Sequence, residues 1–164
     1  MNDTLWASLD RAIEWVKYAE SKGLAILGVH AVTLGFFMNI AVDCSKTIRE
    51  SPVILITLIT ALVLAFTSIY YSFRCLNPRL ALRGGVSPIY FRSIATSFGN
   101  SADFLAHYKS RMSADCDLEK EVAGQVYVNC VIASRKFEDV TWALRHLVLS
   151  LPFWATVAFL LIFS

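Results

Sequence analysis

Three long stretches without any charged side chain constrain the fold of this chain more than any other feature. They cover residues 23–42, 52–73 and 147–164, which are 20, 22 and 18 residues long. A hydrocarbon core of about 30 Å requires about 20 apolar residues in an α-helix. All three stretches are long enough to cross this core, although the last one needs the residues that flank it. We therefore predict an all-α integral membrane protein with three transmembrane helices.

The polar segments around these spans complete the predicted architecture. Residues 1–22 carry apolar side chains at helical spacing between charged ones, which predicts an N-terminal amphipathic cytoplasmic helix. Nothing breaks the chain before residue 23, so this helix and the first span can form one continuous helix, and we expect that span to remain as an anchor. Residues 43–51 form a short polar connector. We predict that residues 74–146 form a helical cytoplasmic region between the second and third spans, which we call the sensor region for the ligand-binding role considered below.

Capping signals predict where individual helices begin. Ser51 is expected to cap the second span, with Pro52 at the first helical position. In the sensor region we predict a short helix over 89–98 and a second helix that Ser101 caps. A long helix should start at Leu118 and continue into the third span. Its predicted apolar stripe consists of Leu118, Val122, Val126, Cys130, Ala133, Phe137, Val140 and Leu144.

The distribution of basic residues predicts the orientation in the membrane. The region 74–146 holds ten of the fifteen Lys and Arg residues, whereas in the connector 43–51 two basic residues are balanced by two acidic ones. Basic residues accumulate on the cytoplasmic side. We therefore expect a multi-pass protein of the bacterial inner membrane, with its N-terminus and sensor region in the cytoplasm and its C-terminus in the periplasm.

No catalytic or metal-binding pattern stands out, and we expect neither an enzyme nor a cofactor. The histidines His30, His107 and His146 are far apart, and the four cysteines include no C-x-x-C pair. His30 lies inside the first span, where we expect a hydrogen-bonded packing residue. The spans hold no ionisable carboxylate, Lys or Arg for a transport pathway, and three helices are too few for a pore unless several copies assemble. A net charge of +2 is too small to indicate nucleic-acid binding.

The sensor region mixes basic, aromatic and amide side chains, and this mixture has two interpretations. Cations can hold a phosphate, aromatic rings can stack on a base, and amides can hydrogen-bond its edge, which suits a small anionic nucleotide. In the simpler interpretation, the basic residues only enforce topology and the aromatic rings lie at the lipid headgroups. Composition alone favours the simpler interpretation.

In the order of its short motifs, the chain resembles the small transmembrane effectors of Pycsar anti-phage systems, from about residue 15 to residue 147. The motifs that carry the resemblance are Ala19-Glu20-Ser21-Lys22-Gly23, Asn77-Pro78-Arg79, Tyr90-Phe91, Ser97-Phe98-Gly99, Gln125-Val126-Tyr127 with Asn129, Ala133-Ser134-Arg135-Lys136-Phe137, and Ala143-Leu144-Arg145. The chain departs from the family pattern at Glu20 and His30, where Asp and Asn are more usual.

The resemblance implies a specific role. In such systems a cognate cyclase answers phage infection by producing a cyclic mononucleotide, cCMP or cUMP. The membrane effector is similar to a receptor that binds this signal and impairs the inner membrane, so that infection is abortive. Related membrane effectors also occur in defence systems that use cyclic oligonucleotides, so the resemblance alone does not fix the ligand class. The implied partners are therefore the lipid bilayer, a cyclic nucleotide and further copies of the chain, and no nucleic acid polymer.

From the resemblance and the chemistry of the sensor region we predict a nucleotide pocket. Its candidate residues are Arg79, Tyr90, Arg92, Tyr108, Gln125, Asn129 and Lys136. Two other functions remain open at this stage. One is a constitutive, holin-like membrane toxin without a ligand, and the other is an accessory subunit of a larger membrane complex.

Overall fold

The computed structural model describes residues 2–77, 89–112 and 115–163, and within these ranges the chain forms six helices and no strand. The helices are α1 (Asn2–Asp43), α2 (Ser45–Glu50), α3 (Pro52–Leu76), α4 (Phe91–Ser97), α5 (Ser101–Met112) and α6 (Asp115–Ile162). Three of them, α1, α3 and α6, are long and apolar enough to cross a membrane. The prediction of an all-α membrane protein with three spans is confirmed.

Two of the membrane-spanning helices extend well beyond their apolar parts. Helix α1 has 42 residues, so the polar N-terminal segment and the first span form one continuous helix, as predicted. Helix α6 has 48 residues and contains Pro152, so the long helix predicted from Leu118 does continue into the third span. The amphipathic character of residues 1–22 and the residues at which the spans enter and leave a bilayer stay predictions.

The structure corrects several predicted helix boundaries and caps. Helix α3 begins at Pro52, but the Ser51 side chain makes no capping hydrogen bond. The predicted cap at Ser101 is wrong, because the Asn100 carboxamide oxygen accepts hydrogen bonds from two amides of the first turn of α5, each at 2.9 Å. Helix α4 is shorter than the predicted range 89–98. The connector contains the unpredicted helix α2, which carries an exposed Lys46–Glu50 ion pair at 3.9 Å.

The chain divides into two compact units. The first, which we call the membrane unit, comprises Tyr18–Asn77 and Arg135–Ser164 and includes the apolar parts of α1, α3 and α6. The second, which we call the polar unit, comprises Met1–Lys17 and Pro78–Ser134. The chain therefore passes between the units three times, once within α1, once after α3 and once within α6.

Small side chains allow the three helices of the membrane unit to pack closely. One buried cluster consists of Ala19, Ile26, Cys75, Val140 and Ala143, and a second consists of Ala61, Ala65 and Trp154. The Trp154 ring lies 4.3 Å from that of Phe37, centroid to centroid. Such small residues at helix interfaces are typical of membrane proteins, in which backbone proximity and van der Waals contact stabilise the bundle.

A short chain of hydrogen bonds also joins the three helices. The Ser68 hydroxyl on α3 donates to the Ala143 carbonyl on α6 at 2.7 Å. Because this hydroxyl has only one proton, the His30 Nε2–H on α1 donates to the Ser68 oxygen, at 2.8 Å. His30 is 1% exposed. The prediction that it is a hydrogen-bonded packing residue is confirmed.

In the polar unit, the described part of the chain carries a compact aromatic group on and beside α5. The Phe98 ring lies 5.5 Å from Phe104 and 5.1 Å from His107, and Phe104 lies 5.8 Å from Tyr108, all between centroids. Leu9 and Ala12 of α1 and Val122 of α6 are among the buried apolar residues of this unit.

Candidate functional site

Lys136 is the most deeply buried charged residue of the described chain, with 2% of its surface exposed. It lies on α6 in the membrane unit. Its ammonium group donates a hydrogen bond to the carbonyl of Cys75, in the last turn of α3. Carbonyl groups in the last turn of a helix have no donor within that helix. A cation at this end of α3 also interacts favourably with the helix dipole. Lys136 therefore satisfies the C-terminus of a neighbouring helix.

The same ammonium group also forms an ion pair with α1. The Lys136 Nζ atom lies 2.9 Å from a carboxylate oxygen of Glu20, whose side chain is 38% exposed. One buried cation thus connects all three helices of the membrane unit. We call Glu20, Cys75 and Lys136 the three-helix clasp. Removing one partner of a buried ion pair leaves the other charge without compensation, which typically costs about 3–5 kcal/mol.

A second ion pair lies beside the clasp and again joins α3 to α6. The Arg74 guanidinium is 3.1 Å from a carboxylate oxygen of Asp139. Asp139 is 4% exposed in its side chain, whereas Arg74 is 46% exposed. Lys136 and Asp139 are three residues apart on α6 and so lie on one helix face. That face presents a positive and a negative charge, each matched by an opposite charge on a different helix.

The clasp residues lie where the chain leaves the membrane unit. Glu20 is two residues from Tyr18, the first residue of this unit, and Cys75 is two residues from Asn77, at which α3 leaves it. Lys136 follows Arg135 directly. Any displacement that the polar unit transmits along the chain must therefore enter the membrane unit within two residues of the clasp.

The residues predicted to bind a nucleotide fall into three groups. Arg79 lies outside the described residues, and of Arg92 only the backbone within α4 is described. Tyr90, Tyr108, Gln125 and Asn129 belong to the polar unit. Of these, Gln125 and Asn129 lie one helical turn apart on α6, where the Asn129 side-chain amide donates to the backbone carbonyl of Gln125 at 2.9 Å.

Tyr108 is 41% exposed and packs against Phe104. Lys136, the remaining candidate, is the central residue of the clasp, with its ammonium bound to Glu20 and to the α3 terminus. Glu20, Arg74 and Asp139 were not predicted from the sequence as partners in ion pairs. Their position beside the uncharged stretches was a usable signal for Glu20 and Arg74.

The described residues hold no group of three or more His, Cys, Asp or Glu side chains that could bind a metal ion. The cysteines described with their side chains, Cys44, Cys75 and Cys130, are not joined in disulfide bonds. The contacts that the site does show are ion pairs and hydrogen bonds between helices.

Three apolar helices that pack around small residues, with ion pairs at one end, define an all-helical multi-pass membrane protein. The family model described as the Pycsar effector protein domain, PycTM, matches residues 4–163. The chain therefore belongs to the Pycsar transmembrane effector family, and the resemblance found in its sequence is confirmed. Membership in this family implies a membrane effector of anti-phage defence.

One curated relative is the Pycsar effector protein PtPycTM of Propioniciclava tarda. It is 28% identical over 150 residues, which cover 89% of this chain and 71% of the relative. No solved structure matches the chain.

Proposed function

We propose that this chain is a nucleotide-gated effector that binds cCMP or cUMP in the cytoplasm and then impairs the bacterial inner membrane, so that infection is abortive. In this proposal it acts as a binding protein and not as an enzyme. The observation that carries it is the match of the family model to residues 4–163, which include all three membrane-spanning helices and the clasp.

The orientation we propose has the N-terminus and the polar unit in the cytoplasm and the C-terminus in the periplasm. The excess of basic residues in region 74–146 over the balanced connector 43–51 supports it. A reporter fused after Ser164 should score as periplasmic. A cytoplasmic score would reverse the orientation and remove the proposed access of a cytoplasmic nucleotide to the polar unit.

The ligand site we propose uses the candidate residues of the sensor region. Arginine groups would pair with the single phosphate of a cyclic mononucleotide, and an exposed ring such as Tyr108 would stack on its base. The amides of Gln125 and Asn129, adjacent on α6, would hydrogen-bond the edge of the base. The proposed residues are Arg79, Tyr90, Arg92, Tyr108, Gln125, Asn129 and Lys136.

The three-helix clasp is the feature through which we propose that binding reaches the membrane. A ligand shifts a conformational equilibrium only by its differential affinity for the two states. In the resting state the clasp and the Arg74–Asp139 pair hold three helices in one register. We propose that the nucleotide-bound state loosens this register and that several copies of the chain then disrupt the bilayer together, because three helices are too few to enclose a pore.

A growth experiment distinguishes this proposal from its alternatives. Cells expressing the chain are grown with and without a cognate cyclase, and dye entry is measured in both. A nucleotide-gated effector is harmless until the cyclase is active and then permits dye entry. A holin-like toxin permits dye entry under both conditions, and an accessory subunit under neither. Either of these two results contradicts the proposal.

Ligand binding can be measured on the purified chain by calorimetry with cCMP and cUMP. Arg79→Ala should weaken binding by about tenfold or more, because it removes a charge-assisted contact to phosphate. Arg49→Ala, at an exposed position on α2, is the matched control and should bind as the wild type does. Equal affinities for all three proteins would remove Arg79 from the proposed site.

Lys136 requires a separate test, because its ammonium already has two partners. In a double variant, Glu20→Met with Lys136→Met, both charges are removed and no buried ammonium is left without its carboxylate. If Lys136 contacts the phosphate directly, this double variant loses nucleotide affinity although no charge in the clasp is unpaired. If Lys136 acts only through the clasp, the double variant recovers affinity that the single variant Glu20→Met has lost.

A further inference from the structure

Each of the three membrane-spanning helices carries a cation that lies over an aromatic ring at one end of its apolar stretch. The pairs are Lys22 over Tyr18 at 4.4 Å, Arg74 over Tyr71 at 5.4 Å and Arg145 over Trp142 at 5.2 Å, measured to the ring centroid. We call these three cations and three rings the basic girdle. All six residues belong to the membrane unit.

The three pairs of the basic girdle lie at the same end of the bundle. The Tyr71 and Trp142 rings are 6.1 Å apart, which brings the α3 and α6 pairs together. The Tyr18 ring lies 6.2 Å from Phe137, beside the clasp residue Lys136. The α1 pair is therefore also at the end of the bundle where Glu20 and Lys136 meet.

On each of the three membrane-spanning helices, the girdle cation lies at the border of the uncharged stretch. Lys22 directly precedes the stretch 23–42, Arg74 directly follows 52–73, and Arg145 is two residues before 147–164. Exposed rings such as Tyr18 and Trp142, at 55% and 46%, are the kind of side chain that prefers the headgroup layer. A basic side chain at this depth extends into the phosphate layer.

The cations of the girdle are only partly neutralised. Arg74 forms an ion pair with Asp139, but Lys22 and Arg145 form no ion pair with any carboxylate in the described ranges. At the opposite end, Lys46 is paired with Glu50. The described residues of the connector carry no cation–ring pair. One end of the bundle thus carries a cation–ring pair on each of its three helices, whereas in the connector at the other end two basic residues are balanced by two acidic ones.

We propose that the basic girdle is a binding surface for anionic phospholipid headgroups, of which phosphatidylglycerol is the bacterial example. Lys22 and Arg145 bind the lipid phosphates, and the rings beneath them hold the cations at headgroup depth. This assignment rests on the charge complementarity and the depth of the girdle, and it holds whether or not a nucleotide controls the protein.

The test compares lipid binding to the full purified chain in neutral detergent. Short-chain phosphatidylglycerol and phosphatidylcholine are titrated by calorimetry, and the ratio of the two affinities is measured. Each basic residue near an anionic surface changes the affinity for that surface by about fivefold. Lys22→Gln with Arg145→Gln should therefore reduce the ratio of phosphatidylglycerol to phosphatidylcholine affinity by about 25-fold. The matched control, Lys46→Gln with Arg49→Gln, removes the same charge from the connector and should leave the ratio unchanged.

Three results overturn the proposal: a wild type without preference for phosphatidylglycerol, a ratio unchanged in the girdle variant, or an equal reduction in the control variant. Inorganic phosphate is titrated separately, and if it binds as tightly as the lipid, the lipid assignment is wrong. If the girdle variant loses its helical circular dichroism, the proposal is tested on the wild-type protein alone. The preference of the wild type for phosphatidylglycerol must then fall as salt rises from about 0.1 M to about 1 M, because the screening length shortens from about 10 Å to about 3 Å. A constant preference contradicts the proposal.

Discussion

A double-mutant cycle on Glu20 and Lys136 gives the sharpest test of the clasp. Methionine is the replacement at both positions, because it keeps an unbranched side chain of similar length and removes the charge. Lys136→Met removes the hydrogen bond from the ammonium to the buried Cys75 carbonyl, which costs about 1–3 kcal/mol. Glu20 is 38% exposed, so its carboxylate can still be hydrated in that variant.

The other single variant, Glu20→Met, should lower the free energy of unfolding by a larger amount. Glu20→Met leaves an ammonium that is 2% exposed with only a neutral carbonyl as its partner. An uncompensated buried charge of this kind costs about 3–5 kcal/mol. The double variant removes both charges and retains only the loss of the Cys75 bond. The two single changes should therefore be non-additive, with a coupling energy about equal to the cost of Glu20→Met, about 3–5 kcal/mol.

The coupling energy is obtained from the free energy of unfolding in neutral detergent, with denaturing detergent added until the helical circular dichroism is lost. The matched cycle uses Lys46→Met and Glu50→Met, whose ion pair is 3.9 Å long and exposed on both sides. An exposed pair of this type contributes about 0.5 kcal/mol or less. A coupling for Glu20 and Lys136 as small as that of the control pair would show that the clasp does not hold the bundle together.

Two further predictions concern hydrogen bonds that the structure assigns. Ser68→Ala removes the bond to α6 and orphans the buried His30 Nε2–H, so the free energy of unfolding should fall by about 1 kcal/mol or more in the same assay. Thr67→Ala, which loses only a bond within its own helix, should have a smaller effect, and equal effects would argue against an interhelical role. Asn100→Ala should destabilise by about 1 kcal/mol because it removes the cap of α5, whereas Ser101→Ala should be nearly neutral. If Ser101→Ala lowered the melting temperature more than Asn100→Ala, Ser101 and not Asn100 would be the capping residue.

The spans were predictable because their signal is local. Uncharged stretches of sufficient length indicate membrane helices regardless of how those helices pack. The continuity of α1 followed from the absence of a breaking residue before the first span, and that of α6 from the apolar stripe that runs toward the third span. Helix caps were less predictable: Asn100 and Ser101 are both good capping residues, and only the backbone geometry decides between them.

The contacts between helices required information that a single sequence does not contain. Glu20, Cys75 and Lys136 are separated by more than fifty residues of chain at each step, and their meeting depends on the register of three helices. The predicted stripe of α6 ended at Leu144, but the structure buries Ala143 and leaves Leu144 49% exposed. An ideal helical repeat assigns one face, whereas the contacting faces rotate along a helix of 48 residues.

The clasp also changes how the basic residues of the sensor region are interpreted. Lys136 was a candidate phosphate ligand on composition, and composition does not reveal that a charge is already paired. Burial and partner identity distinguish a structural cation from a free one, and both depend on tertiary structure. Basic residues at the ends of spans thus have at least three possible roles: topology, ligand binding and helix pairing.

The most direct test of the central claim is dye release from vesicles that contain only the purified chain and bacterial phospholipids. We expect these vesicles to retain dye until cCMP or cUMP is added on the side of the polar unit, and then to release it in proportion to the ligand bound. Release without any nucleotide, or retention at saturating concentrations of both nucleotides, would contradict the claim that this membrane bundle is opened by a cyclic mononucleotide.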